Sequence, residues 1–306
     1  MQRRYVTVDV FTDRLFGGNQ LAVVLDAEGL STAQMQAIAR EFNYSETTFV
    51  LPPREAGNDA HVRIFTPIVE LPFAGHPNVG TAYVLASRAK RAPSRLLFEE
   101  RAGLVTMAIE SEAGRVTGAE LTAPARFEKL SVVSVEQVAA CLSLELTAIK
   151  CDRHSPQIVS VGMPVLVVEV ASREALARAR PDAGAFARAL PCDGAFEIYF
   201  YSRDVPAHEA PCELQARMFF PGASGLIEDP ATGAAAVDAA ALLADLDPIR
   251  DGELRTCFGQ GFDMGRPSIL RGRVVKRDGA IQSVHVGGDC MTVMEGTFVL
   301  AGDGTS

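Results

Sequence analysis

Two stretches of the sequence repeat the same chemically informative residue types. The first reads Arg63-Ile64-Phe65-Thr66-Pro67 and, after a short loop, Glu70-Leu71-Pro72-Phe73-Ala74-Gly75. The second reads Arg217-Met218-Phe219-Phe220-Pro221 and then Glu228-Asp229-Pro230-Ala231-Thr232-Gly233. Arg-x-Phe-x-Pro and Glu-x-Pro-x-x-Gly therefore recur in the same order, with a loop four residues longer in the second copy. This order favours an internal duplication over chance.

A helix is predicted after each copy, and the start of a helix has a chemistry of its own. Glycine and alanine in the first turn leave backbone N–H groups uncovered, so that a ligand can approach them. These amides and the positive end of the helix dipole favour an anion. We therefore expect Gly75 in the first copy, and Gly233 and Ala234 in the second, to suit a small carboxylate or an enolate. Such stabilisation needs no metal ion.

Three side chains near these helix starts could hold or move a proton. Glu46 lies where a predicted helix gives way to a strand, and a partly buried glutamate can serve as a general base. His76 directly precedes the proline of the first helix and could donate to an enolate oxygen or relay a proton. Asp229 is equally well explained as a helix N-cap, and its counterpart in the first copy is Leu71. Asn19 ends a predicted Gly-Gly-Asn turn. An alternative interpretation is that its side chain contacts the substrate.

The elements that must position these residues follow from periodicity and capping signals. Ser31 and Ser134 are each followed three residues later by Gln, as in a capping box, and each opens a predicted helix. Many short strands with one prominent helix per half argue for an α+β fold. The predicted strands and later helices are residues 5–11, 21–25, 47–51, 60–65, 95–99, 104–109, 116–121, 159–170, 196–201, 274–277, 284–286 and 297–300, with helices over 81–86, 134–146 and 233–243.

Length and composition exclude several classes of protein. A chain of 306 residues favours two domains, and we place them at residues 1–122 and 123–295, with the return of a strand near 296–303 to the first domain as an alternative. The net charge of −9 and the lack of a basic patch disfavour nucleic acid as a partner. No apolar run is long enough to span a bilayer, and no export signal is recognised. The six dispersed cysteines predict reduced thiols in a cytoplasmic protein without a zinc site.

Several ordered blocks of the sequence, spread from the first strand to beyond residue 260, resemble the PhzF-like phenazine-biosynthesis family. These blocks are Val8-Asp9-Val10-Phe11-Thr12, Gly17-Gly18-Asn19, Ser45-Glu46-Thr47-Thr48-Phe49-Val50, Phe65-Thr66-Pro67, Glu70-Leu71-Pro72-Phe73-Ala74-Gly75-His76-Pro77, Glu228-Asp229-Pro230-Ala231-Thr232-Gly233 and Gly265-Arg266-Pro267-Ser268. The resemblance covers nearly the whole chain and is far more specific than any single glycine-rich match.

The resemblance implies the diaminopimelate-epimerase fold, in which two similar domains each wrap a curved, mostly antiparallel sheet around a central helix. It implies a ligand between the domains, Glu46 as general acid/base, and His76 and Asp229 as assisting residues. Asn19, Thr232 and the backbone around Gly75, Gly233 and Ala234 are then expected to bind the substrate. The family's namesake isomerises a dihydro-hydroxyanthranilate by moving a proton along an allylic system, without a cofactor. Family analogy also favours a homodimer.

The sequence departs from related proteins in two respects, and these leave alternative functions open. In epimerases and proline racemases of similar fold, a cysteine precedes the glycine at each central helix, whereas this chain has Ala74 and Thr232, which disfavours two-thiol racemisation. The family usually has serine where this chain has Ala234, which puts the namesake's substrate in doubt. An isomerase acting on a small cyclic or amino-acid-like carboxylate is the first hypothesis. A non-catalytic ligand-binding or regulatory protein is the second, and a phosphate-binding transferase ranks below both because no P-loop or Rossmann pattern is present.

Overall fold

The computed structural model describes residues 2–209, 212–222 and 225–300. The described residues form six α-helices and sheets of mixed strand direction, which confirms the predicted α+β class. The chain divides into two compact units, Met1–Leu121 with Gly287–Ser306, and Thr122–Val286. The domain boundaries predicted from the sequence, after residues 122 and 295, stay a prediction. Residues 301–303, the end of the expected returning strand, lie outside the described part of the chain.

The first unit contains the following elements: β1 (Gln2–Val10), β2 (Asn19–Val24), α1 (Thr32–Phe42), β3 (Glu46–Leu51), β4 (Ala60–Phe65), β5 (Glu70–Leu71), α2 (Gly75–Arg88), β6 (Arg95–Glu100), β7 (Gly103–Glu112) and β8 (Arg115–Thr122). The second unit continues with β9 (Glu128–Val132), α3 (Val135–Leu142), β10 (Ile149–Lys150), β11 (Gln157–Ser160), β12 (Val165–Val170), α4 (Arg173–Arg178), α5 (Ala183–Ala189), β13 (Ile198–Ser202), β14 (Leu214–Gly222), β15 (Gly225–Glu228), α6 (Gly233–Leu246), β16 (Gly252–Gln260), β17 (Ser268–Arg277) and β18 (Ala280–Val299).

The strands of the two units pair in the same order. In the first unit the pairs β1–β2, β3–β4, β4–β5 and β6–β7 are antiparallel, while β2–β3 and β4–β6 are parallel. In the second unit β11 to β17 repeat this scheme strand for strand, with β12–β13 and β14–β16 parallel. The repeated order is the one that a duplicated sequence motif predicts.

One helix in each unit is buried on most of its sides. Ten of the fourteen residues of α2 are buried, and the helix packs against β1, β2, β3 and β7. Ten of the fourteen residues of α6 are buried, and it packs against β11, β12, β13, β16 and β17. Small residues permit this close packing, since a Cβ added to Gly80 would lie 2.6 Å from the Cδ2 atom of Leu21. Each unit therefore has a central helix among its strands.

The repeated sequence blocks form the same ion pair in both units. In the first unit Arg63 donates from Nε and Nη2 to the two oxygens of Glu70, both at 2.8 Å. In the second unit Arg217 donates to Glu228 from the same two nitrogens, again both at 2.8 Å. Each guanidinium also lies over the phenylalanine two residues further along its strand, 5.1 Å and 4.9 Å from the ring centroids. Planar, two-point pairing fixes the direction of approach, so these blocks are structurally equivalent.

Two predicted elements were wrong in extent. The helix predicted over 134–146 ends at Leu142, because Ser143 adopts a left-handed conformation (φ 54°) that terminates α3. The strand predicted over 159–170 is two antiparallel strands, β11 and β12. Gly162 between them has φ 147°, and Pro164 offers no N–H, so the chain turns there.

The short strands predicted near the C-terminus are parts of two long ones, β17 and β18. Gly287 lies within β18, where an added Cβ would lie 3.0 Å from the carbonyl oxygen of Ala119, so glycine there permits close approach of another strand.

Candidate active site

Glu46 and His76 form the first group of candidate side chains. Glu46 is the first residue of β3, paired with Leu21 of β2, and His76 is the second residue of α2. The Nε2 atom of His76 lies 3.2 Å from Oε2 of Glu46, and the side chains are only 7% and 16% exposed. The distance suits a hydrogen bond, although the two groups are not aligned for one.

His76 is neutral over the physiological pH range. Burial lowers the pKa of His76 to about 3, and a backbone hydrogen bond with Gln20 acts in the opposite direction. A neutral imidazole carries one ring proton. With that proton on Nε2 the ring donates toward Glu46, and with it on Nδ1 the ring can accept a proton from Glu46.

Asn19 joins this group through its amide. Its Nδ2 atom lies 3.4 Å from Nδ1 of His76, and its Oδ1 atom accepts a hydrogen bond of 3.3 Å from the hydroxyl of Ser45. Asn19 is buried, with 1% of its surface exposed. The structure thus brings Asn19 to the histidine ring, where it links the residue preceding Glu46 to that ring. The predicted contact of Asn19 with substrate stays a prediction.

α2 begins at Gly75, earlier than the helix predicted over residues 81–86, so Gly75 lies in its first turn. Its N-cap residue, Ala74, forms no side-chain capping hydrogen bond, and the Asn78 amide donates to the Ala74 carbonyl at 3.0 Å. Pro77 has no N–H, so Gly75 and His76 carry the amides that helix geometry leaves without an intrahelical acceptor. These amides and the helix dipole can stabilise negative charge next to the Glu46–His76 pair.

Asp229 and Thr232 form the second group, at the start of α6. The hydroxyl of Thr232 donates to Oδ2 of Asp229 at 2.5 Å. The side chain of Gln260 at the end of β16 holds both residues: its Oε1 accepts from the N–H of Thr232 at 3.0 Å, and its Nε2 donates to the Asp229 carbonyl at 2.8 Å and to the Thr232 hydroxyl at 3.0 Å. Gln260 is fully buried. Asp229 therefore has an orientation fixed by its neighbours.

Gly233 and Ala234 lie in the first turn of α6, as predicted. Thr232 is the N-cap residue, but its hydroxyl is used by Asp229 and caps no N–H group of the helix. Gly233 is buried and Ala234 is half-buried. The amides of this turn resemble those of the first helix start, while the methyl group of Ala234 offers no hydrogen bond to a ligand. Any carboxylate held here is held by backbone amides.

Gln260 and Glu197 were missed by the sequence analysis. Gln260 lies 28 residues from Thr232, and no local pattern links the two. Glu197 immediately precedes β13 and is 9% exposed. Its pKa is raised to about 7 by burial and, secondly, by the charge of Asp229. A sequence signal did exist for Glu197, because Glu-x-x-Phe occurs both at the start of β3 and at Glu197, three residues before Phe200.

The described residues contain no group of three or more His, Cys, Asp or Glu side chains arranged to hold a metal ion. Among the same residues, no helix combines the length and the apolar character required to cross a membrane. The cytoplasmic location expected from the sequence stays a prediction.

The start of α2 thus carries the Glu46–His76 pair, and the start of α6 carries the Asp229 carboxylate held by Thr232 and Gln260. The sequence matches the phenazine biosynthesis-like family over residues 8–296, and the chain belongs to this family. An uncharacterized isomerase of Mesorhizobium japonicum is 38% identical over 306 residues, covering 97% of this chain and 99% of that protein.

Two further comparisons agree with this assignment. The trans-2,3-dihydro-3-hydroxyanthranilate isomerase of Pseudomonas chlororaphis is 37% identical over 297 residues, covering 97% of this chain and 99% of that protein. The crystal structure of a phenazine biosynthesis protein of the PhzF family from Bacillus anthracis superposes with a TM-score of 0.86 over 98% of this chain and 100% of that chain, at 24% identity. The names of the Mesorhizobium japonicum and Pseudomonas chlororaphis relatives support an isomerase activity for this chain, and the Bacillus anthracis structure shows the shared fold.

Proposed function

We propose that the protein is a cofactor-independent isomerase that moves a proton on a small cyclic or amino-acid-like carboxylate, with Glu46 as general acid/base. The observation that supports this most is the 3.2 Å approach of His76 to Glu46 beside the start of α2. A carboxylate at that position can take a proton from a carbon atom while the helix amides stabilise the enolate or allylic carbanion that forms.

The proposed step conserves atoms and electrons. The substrate C–H bond breaks, its proton passes to Glu46, and its electron pair enters the conjugated system. Glu46 then returns the proton to another carbon atom of that system. Neutral His76 donates to or relays a proton with Glu46, and Asn19 and the Gly75 amide bind and orient the substrate. In the second unit, the proposed binding groups are those at the start of α6: Asp229, Thr232, Gly233 and Ala234.

The first substrate to test is trans-2,3-dihydro-3-hydroxyanthranilate, the compound named for the Pseudomonas chlororaphis relative. Incubated with the enzyme in D₂O, it is expected to give an isomer that carries solvent deuterium, seen as a mass increase. The Glu46→Gln variant should incorporate much less deuterium. Its matched control is Glu41→Gln, because Glu41 is an exposed glutamate on α1, only five residues before Glu46. It should behave as wild type. An isomer without deuterium would contradict a solvent-exchanging carboxylate as the proton carrier.

A non-catalytic ligand-binding protein is the second candidate, and Ala234 favours it. This residue leaves the start of α6 without a side-chain donor where the family usually has serine. A metabolite screen by thermal shift distinguishes the two, since a ligand raises the melting temperature of either protein. Only an isomerase then exchanges a carbon-bound hydrogen of that ligand with D₂O. The homodimer expected from the resemblance stays a prediction.

A further inference from the structure

The strand register identifies a second glutamate that corresponds to the proposed general base. In the first unit Thr47 of β3 is paired with Phe65 of β4. In the second unit Ile198 of β13 is paired with Phe219 of β14. The two phenylalanines are equivalent, because each follows the arginine of the repeated ion pair by two residues. Ile198 therefore corresponds to Thr47, and Glu197 corresponds to Glu46.

The two glutamates have different titratable neighbours. Beside Glu46 lies His76, whose counterpart in α6 is Ala234, a residue without a titratable group. The neighbour of Glu197 is instead Asp229, which occupies the position of an apolar leucine in the first unit. Each unit thus combines one glutamate with one further polar residue at the start of its central helix, but takes that residue from a different position of the repeat.

Glu197 and Asp229 share one face of their sheet. Tyr199 of β13 is paired with Met218 of β14, and the N–H of Asp229 donates to the Met218 carbonyl at 3.2 Å, continuing the ladder beyond β15. Residues paired across strands project to the same face, and so do residues two apart in one strand. Glu197 lies two residues before Tyr199, so its side chain and that of Asp229 lie on the same side of the sheet.

The proton of this carboxyl pair belongs to Glu197. The Nε2 atom of Gln260 donates to the Thr232 hydroxyl, so the Thr232 hydrogen is directed to Asp229, which acts as an acceptor. Glu197 has no comparable donor among the described residues. Its burial and the neighbouring charge of Asp229 both raise its pKa, to about 7. Two adjacent carboxylates repel each other, so one of them keeps its proton.

We propose that Glu197 is a positioning residue that acts through Asp229. When Glu197 is neutral, the start of α6 carries one negative charge fewer. A carboxylate substrate can then bind there beside a single ionised Asp229. Ionised Glu197 repels that carboxylate and weakens binding. This role rests on the proposed function, because it presumes an anionic substrate at the start of α6.

The groups that face Glu197 come from three elements. Asp229 lies before α6, Asp238 lies within α6, and Tyr199 lies on the strand of Glu197 itself. Burial raises the pKa of Asp238 well above its usual range, opposed by a hydrogen bond from Val161 N–H. Burial likewise raises the pKa of Tyr199 well above its usual range. Both shifts favour the neutral form, and Glu197 is the group of this set whose pKa is raised to about 7.

The test compares wild type with Glu197→Gln, which is neutral at every pH and keeps the size of the side chain. With trans-2,3-dihydro-3-hydroxyanthranilate as substrate, we expect the KM of wild type to rise at least about tenfold between pH 6 and pH 9. The reason is that each pH unit above the pKa of Glu197 lowers the fraction of enzyme with neutral Glu197 by up to about tenfold. The KM of E197Q should change less than about threefold over this range, with kcat retained. The matched control Asp238→Asn should follow wild type.

Three outcomes would overturn the proposal. An E197Q variant with the same KM profile as wild type would make Glu197 a buried acid without influence on binding. Loss of turnover in E197Q with intact binding would make it a direct proton carrier. A protonated Glu197 would give a carboxyl C=O stretch in infrared spectra that E197Q lacks. If this band at pH 6 is the same in both proteins, Glu197 is ionised. The infrared measurement needs no substrate, so it stands even if the proposed isomerase activity fails.

Discussion

The Nε2 atom of His76 lies 3.2 Å from Oε2 of Glu46, in an environment that keeps the histidine neutral. Burial is the first cause of this neutrality, and it lowers the pKa of His76 to about 3. A group whose folded-state pKa is depressed stabilises the protein above its unfolded pKa and loses that stabilisation as the pH falls. The Glu46–His76 pair therefore depends on pH in a direction that can be measured.

The first prediction concerns the titration of His76. Its ring resonances in NMR spectra should show no titration between pH 5 and pH 9. Relative to His76→Phe, wild type should lose up to about 1.4 kcal/mol of unfolding free energy for each pH unit below 6.5, as followed by urea denaturation. A His76 resonance that titrates with a midpoint near 6.5 would show that the ring is accessible and charged in acid, against the structure.

The second prediction concerns Gln260. Gln260→Leu removes three hydrogen bonds from the Asp229–Thr232 turn, one that Gln260 accepts and two that it donates. The buried polar groups left without partners cost about 1–3 kcal/mol. We expect this loss in urea denaturation together with a raised KM, since the turn carries the proposed binding residues. Gln282→Leu, at an exposed position of β18, is the control and should change neither quantity. Equal stability of the two variants would refute the role of Gln260.

The third prediction contrasts two adjacent glutamates of β6. Burial raises the pKa of Glu100 to about 8, with an opposing contribution from Asn78. Its raised pKa means that wild type loses stability as the pH rises from about 4.5 toward 8. The advantage of Glu100→Gln over wild type should thus grow with pH, by up to about 1.4 kcal/mol per unit in urea denaturation.

Glu99 supplies the opposite sign in the same strand. The Asn58 side chain and the N–H groups of Arg54 and Glu55 donate to Glu99 and lower its pKa to about 2. Its stabilisation is present above the unfolded pKa, near 4.5, and is lost below that value. Glu99→Gln should therefore be less stable than wild type, by an amount constant from pH 6 to 8. A constant difference for E100Q, or a pH-dependent one for E99Q in this range, would contradict the assignment.

The fourth prediction concerns thiol reagents. The residues that precede the glycines of the two central helices are Ala74 and Thr232, so neither N-cap carries a thiol. Alkylation with iodoacetamide should label the exposed Cys151 and leave the isomerase activity unchanged. Rapid inactivation that substrate prevents would place a cysteine in the chemistry and would exclude the proton-transfer step proposed for Glu46.

Local signals predicted the parts of the fold that depend on neighbours in sequence. Both capping boxes are formed as expected, at Ser31 with Gln34 and at Ser134 with Gln137. The central helices begin at the glycines that end the repeated blocks, because an uncovered first turn is a property of the local sequence. Glu46 likewise lies at the start of its strand, as the residues on either side indicated.

Long-range relationships could not be predicted in the same way. Gln260 reaches the Asp229–Thr232 turn from a strand that is distant in sequence, and only the folded chain brings them together. The role of Glu197 depends on strand register, which a short Glu-x-x-Phe match does not establish without the paired strands. Apolar runs such as residues 159–170 conceal a turn, because glycine and proline change the chain direction without a change in hydropathy.

Glu46 as proton carrier is tested most directly by the Glu46→Gln variant in D₂O with trans-2,3-dihydro-3-hydroxyanthranilate. Calorimetry gives the affinity of the variant for the substrate, and mass spectrometry gives the deuterium that enters the product. We expect E46Q to bind within about tenfold of wild-type affinity and to incorporate deuterium at least about 100-fold more slowly, as loss of a general acid/base requires. Turnover and deuterium incorporation at the wild-type rate in E46Q would contradict the assignment.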